Sequence, residues 1–185
     1  KIMADCRDPA WAGKLLPAMY CGKDGTGAGG EEDDLKVAAK AKELLVRDHP
    51  RLMVVNFAGV DLSGHTGNWD AYLAAIRQVE RLVVDVFEAL ETDPVYKDRT
   101  AFFLTSDHGR HLDGVFSGFS RHGCNCEGCR HIMLVAAGPD FGRGVVIDDP
   151  VEMIDVAVTA ASILGDSIPE SPGKILDCLR PGGSD

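Results

Sequence analysis

Three short apolar runs, rich in β-branched residues, alternate along this chain with longer segments whose apolar residues recur every three or four positions. The short runs are Arg51–Phe57, Thr100–Thr105 and Ile132–Ala137. Each has the length and composition of a strand buried on both faces. The helical segments are 31–48, 68–91 and 151–164. In the first, Leu35, Val37, Ala38, Ala41, Leu44 and Leu45 form a stripe, Glu31–Asp34 suit the amino end, and His49-Pro50 stops it. In the second, Asn68 is placed to cap, Trp69 through Leu90 carries the apolar spacing, and Asp93-Pro94 closes it. The third is apolar nearly all round, which predicts deep burial, and Gly165 caps it. Strands alternating with helices predict an α/β protein, a three-layer α/β/α sandwich on a mostly parallel sheet. The expected organisation is a single domain over 1–185, with 1–30 an irregular connector and 31–180 the core.

The net charge of −10 argues against a nucleic-acid or anionic-membrane surface, which needs a basic patch. An anionic substrate stays compatible with it, because bound cations can dominate the field of a site. No apolar run approaches the ~18 residues of a membrane span. Residue 1 is Lys and no signal peptide is visible, so the natural amino terminus is expected upstream and the compartment stays open. Gly25-Thr-Gly27-Ala-Gly-Gly30 fits a dinucleotide-loop pattern, but Pro17 to Cys21 offers no convincing strand before it. The run therefore reads as a connector, with no nucleotide cofactor and no nucleophilic role for Thr26.

Three polar clusters follow or lie between the expected strands. They are Asp61-Leu-Ser-Gly-His65, Asp107-His108-Gly109 and His122-Gly123. Ligand sites of open parallel sheets lie beyond the carboxyl ends of the strands. Carboxylate and imidazole donors together suit Zn²⁺, Mn²⁺ or Fe. Two Asp and three His exceed what one catalytic ion takes from protein, and they fit a pair of ions sharing a site. Glycines at 59, 64, 67, 109 and 123 allow sharp turns beside these residues. His111 and His131 compete with His122 for the third position; His131 begins a strand and reads as structural, and His111 fits a site entrance. His49 reads as a solvated helix end. Cys124-Asn-Cys126-Glu-Gly-Cys129 leaves three readings open: a structural metal with a fourth ligand such as His131 or Cys178, a disulfide in an oxidising compartment, or reduced thiols.

Asn56-Phe-Ala-Gly-Val-Asp61-Leu-Ser-Gly-His65, followed by a Tyr-containing helix, resembles the alkaline phosphatase superfamily. Thr105-Ser-Asp107-His108-Gly109 resembles its second metal motif. His122-Gly123 with Gly138-Pro-Asp-Phe141 resembles the third, nearest the phosphodiesterase branch. Asp155 to Gly165, with Gly173-Lys-Ile-Leu176, is similar to the closing helix of sulfatase-like members. The resemblance implies that Asp61, His65 and His122 hold one divalent ion and that Asp107 and His108 hold a second, with Zn or Mn expected. It also implies that a further metal-binding Asp and the Thr or Ser nucleophile precede these motifs, and residues 1–34 contain no convincing counterpart. The expected function is therefore a two-metal hydrolase of small phosphate or sulfate esters, incomplete in this chain and weak or inactive alone. The alternatives are a phosphosugar mutase of the same superfamily and a non-catalytic remnant of the fold.

Overall fold

Pro17–Cys21 forms a strand, β1, where an irregular connector was expected. It pairs in parallel with β2, Leu52–Asn56, in the register Pro17↔Leu52 through Cys21↔Asn56. The signal was masked because proline is rare in strands, yet it is tolerated at a strand's first residue, where Pro17 sits. The computed structural model describes residues 17–21 and 31–177. Gly25–Gly30, Thr26 and Cys178 lie outside the described residues. β1 nevertheless removes one ground for reading the glycine run as a connector.

The chain divides into two compact units, residues 1–95 with 111–121 and residues 96–110 with 122–185. In the first, helix α1 (Glu31–Asp48) leads from β1 to β2, as a parallel pair requires. It buries Val37, Ala38, Ala41 and Leu45, and packs against helix α3 (Trp69–Thr92). α3 answers with Ala75, Leu82, Val86 and Leu90. Burying each Leu or Val side chain contributes about 1.5–3 kcal/mol. The Asn68 side chain caps α3 by accepting from the Ala71 amide at 3.0 Å.

Helix α2, Gly59–His65, is short, carries two glycines and has no capping side chain of its own. Its amino end is held from a distance. The Asp34 carboxylate, only 2% exposed, accepts from the amides of Ala58 and Gly59, both at 3.0 Å. An anion at these donors satisfies them and complements the helix dipole. Asp34→Ala is expected to cost on the order of 2–3 kcal/mol by orphaning buried amides, with partial rescue by Asp34→Asn. Urea titration of the three proteins checks this, and equal midpoints would contradict it.

In the second unit, β3 (Phe102–Thr105) and β4 (Leu134–Ala137) pair antiparallel, Phe102↔Ala137 through Thr105↔Leu134. The described strands thus form two two-stranded sheets, and the expected parallel pairing is found for β1 and β2 while β3 and β4 depart from it. The chain leaves β3 at Thr105 and re-enters β4 opposite it at Leu134, so β4 must run back. The strands are also less covered than expected: Val54 is 49% and Val135 50% exposed.

Helix α5, Met153–Ile163, is half exposed rather than deeply buried, and its buried residues are the polar Asp155 and Thr159. Asp155 accepts from the Glu152 amide (2.9 Å) and, across the chain, from the Lys174 amide (2.8 Å). Thr159 Oγ1 donates to the Asp155 carbonyl and accepts from the Leu176 amide at 2.9 Å. The helix thus buries the face that ties down the closing segment. Asp155→Ala, leaving two amides unmet, is expected to cost on the order of 3 kcal/mol. A thermal melt unchanged by it would refute that reading.

Candidate metal centre

In the first unit, α2 places Asp61 and His65 one turn apart on one face. His65 Nε2 stands 3.4 Å from Asp61 Oδ2. Its Nδ1 is 3.0 Å from the Ser120 carbonyl oxygen, which belongs to a 3-10 turn, Gly118–Ser120. In the tautomer that donates Nδ1–H to this carbonyl, the ring's lone pair lies on Nε2, the nitrogen beside Asp61. Gly67, at φ +72°, ends the α2 turn without a Cβ to strain it. Phe119 anchors the Gly118–Ser120 segment by packing on the rings of Trp69 (4.9 Å) and Tyr72 (5.6 Å).

The second unit repeats the unit of design at the end of β3. His108 Nδ1 lies 2.9 Å from the Gly109 carbonyl oxygen, and Nε2 lies 3.6 Å from Asp107 Oδ1. His122 stacks on His108, with ring centroids 3.7 Å apart and planes within 14°. Gly109 is packed hard: its amide donates to the Cys129 carbonyl at 2.8 Å, and a Cβ would collide with the carbonyl oxygens of Gly128 and His131.

These donor sets fit divalent ions. Two ligands at about 2.0–2.1 Å from a tetrahedral ion stand about 3.4 Å apart, close to the observed nitrogen–oxygen separations. Both exceed an ordinary charge-assisted hydrogen bond of about 2.8 Å. Both histidines also show the outer arrangement typical of ligating imidazole, the far nitrogen fixed by a backbone carbonyl.

The other candidates fall elsewhere. His111 is buried and packs on Phe116, rather than lining an entrance. His131 is the exposed cap residue of a one-turn helix α4, Glu127–Arg130. His49 pairs with Asp93 at 3.7 Å instead of being simply solvated. Three contributors escaped the sequence reading: Asp34, Ser120 and Gly109 as a packing position. Asp34 read as a helix-end charge, and backbone carbonyls leave no mark in side-chain spacing. The Cys126 thiol is pulled below its ordinary value, chiefly by a hydrogen bond from the Cys129 backbone, while contact with Cys126 pushes the Cys124 thiol up.

A family model described as the Metalloenzyme superfamily matches residues 25–124, more than half of the chain and inclusive of Asp61, His65, Asp107, His108 and His122. The chain belongs to the Metalloenzyme superfamily. This is an alkaline-phosphatase-like superfamily, so the likeness drawn from the motifs holds. Among curated proteins, this superfamily member is similar to a sulfatase of Formosa agariphila, 34% identical over 105 residues, 55% of this chain and 20% of that protein. It is also similar to two proteins named 2,3-bisphosphoglycerate-independent phosphoglycerate mutase. The one from Halobacterium salinarum is 28% identical over 123 residues, 66% of this chain and 23% of its own length. The one from a Synechococcus species is 31% identical over 159 residues, 82% and 28% respectively. The chain thus spans about a quarter of the length of the curated relatives it matches. No solved structure matches it significantly.

Proposed function

We propose that this chain is the metal-holding segment of a two-metal enzyme acting on small phosphate or sulfate esters. Asp61, His65 and His122 would hold one ion, and Asp107 and His108 the other. The observation that supports this most is the repeated unit: a histidine clamped at Nδ1 by a backbone carbonyl, presenting Nε2 beside a carboxylate, found in each unit. The two copies lie at motifs 46 positions apart (61 to 107). The His108–His122 stack adds to it. Parallel rings 3.7 Å apart suit imidazoles that each serve a different ion, because paired catalytic ions sit roughly 3.5–4 Å apart.

Mixed oxygen and nitrogen donors favour Zn or Mn. When bound, such ions supply charge neutralisation at the ester oxygens and at the leaving group. The chain's own residues hold and orient: the carboxylates bring negative charge, and the carbonyl clamps keep the imidazole lone pairs aimed. A hydroxyl nucleophile, expected in another part of the protein, would give up its proton and attack the phosphorus or sulfur centre, the bond to the ester oxygen would break, the alcohol would leave carrying a proton, and a covalent ester would remain on the protein. Water then accepts the group in a hydrolase, and a second hydroxyl of the substrate accepts it in a mutase. The hydrolase is our first reading. The relatives named phosphoglycerate mutase favour the mutase as the second.

Metal analysis of the full gene product, with a panel of phosphate monoesters, diesters, sulfate esters and a phosphoglycerate, tests this. The expected result is turnover that chelation abolishes and Zn or Mn restores, with little or none from residues 1–185 alone. A protein that turns over unchanged after chelation, or binds metal without turning over any of these substrates, would sink the enzyme reading.

A further inference from the structure

The loop from His122 to His131 is ten residues long, His-Gly-Cys-Asn-Cys-Glu-Gly-Cys-Arg-His, and contains no aliphatic or aromatic hydrocarbon side chain. It nonetheless holds a defined shape. Its cysteines turn inward: Cys129 is 6% exposed, and Cys124 and Cys126 are half-buried. Backbone hydrogen bonds hold part of it, Arg130 N to the Cys126 carbonyl and His131 N to the Glu127 carbonyl, and a metal is a staple that segments with little apolar core use besides. The three sulfur atoms lie within 4.8 Å of one another.

We infer that Cys124, Cys126 and Cys129 together bind a structural zinc ion, separate from the Asp and His metal ligands. The Cys124 and Cys129 sulfurs are 3.9 Å apart. Two thiolates about 2.3 Å from a tetrahedral zinc stand about 3.8 Å apart, whereas a disulfide requires about 2.05 Å. A disulfide would also leave one of the three cysteines over. The Cys126 amide points at Cys124 Sγ, 3.4 Å away, and supports negative charge on that sulfur. On binding, the three thiols release their protons to solvent and three thiolates face one dication, with a fourth position for another ligand or water.

The placement gives the ion a purpose. The Cys129 carbonyl accepts from the Gly109 amide at 2.8 Å, and Gly128 packs against the place where Gly109 has no Cβ. A zinc that fixes Cys124–Cys129 therefore fixes the floor under Asp107-His108-Gly109. It also fixes His122, two residues before Cys124, against His108. The site is a clamp for the candidate ligands, and it stands whatever ester the protein acts on.

Cobalt substitution of the full gene product reads this directly, because sulfur ligands give an intense sulfur-to-cobalt charge-transfer band that oxygen and nitrogen ligands do not. The expected result is that band in the wild type, with loss of the band and of one equivalent of zinc in Cys126→Ser. Hydrogen exchange should show a matching loss of protection at the Gly109 amide. The wild-type spectrum needs no variant, so a misfolded Cys126→Ser does not blunt the test. Absence of the band in cobalt-loaded wild type, a Cys124–Cys129 disulfide in peptides of the native protein, or full zinc content in Cys126→Ser would each overturn the inference. Failure of the ester panel would leave it intact.

Discussion

Gly109→Ala is expected to destabilise the full gene product and to weaken the metal site together, although a single methyl group is added. The new Cβ would meet two backbone oxygens, those of Gly128 and His131, neither of which can rotate away as a side chain could. Either α4 moves or the Asp107–His108 turn does. Overpacking of this kind costs about 1–3 kcal/mol. Because the Gly109 carbonyl also clamps His108 Nδ1, the imidazole loses its aim as the turn shifts. Changes to the partners of a ligating residue weaken metal affinity by roughly 10–100-fold. Urea denaturation and metal titration of the same preparation measure both effects. A variant with wild-type midpoint and wild-type affinity would show that the turn is not seated as described.

His65→Ala and His108→Ala should do more damage to activity than to stability. Each removes an imidazole whose side chain is partly exposed, 34% for His65 and 26% for His108, so each fold should survive. Each would also take away a proposed metal ligand, and we expect turnover to fall by at least about 100-fold, more than changes to the partners of a ligand produce. His49→Ala serves as the control, because His49 pairs only weakly with Asp93 at 3.7 Å on the surface. It should leave turnover within about twofold. Comparable losses in His49→Ala would mean that the assay reports general damage rather than metal ligation.

The helices were legible because their signals are local. The apolar stripe of α1 and the bounds 31–48 coincide with Glu31–Asp48, and the Asn68 cap forms as its side-chain chemistry dictates. β1 was hidden by Pro17, and its support comes from pairing with β2, more than thirty positions away (Pro17↔Leu52). α2 was hidden because two glycines and an uncapped start are poor helix signals, and its cap is Asp34. The direction of β4 cannot be read from its own composition, since parallel and antiparallel strands draw on the same residues. α5 looked like a deep core helix because it is apolar, but its buried face is chosen by the polar pair Asp155 and Thr159. For the candidate site, residue types and spacing pointed to the proposed donors. The carbonyls of Ser120 and Gly109 that aim them are backbone atoms, which only the fold can bring into place.

Metal content of purified full gene product, measured against protein concentration, tests the two-ion assignment most directly. Relative to wild type, Asp61→Ala or His65→Ala is predicted to remove about one equivalent, and Asp107→Ala or His108→Ala the other. The double variant His65→Ala/His108→Ala should lose both. Unchanged metal content in that double variant would contradict the account at its root.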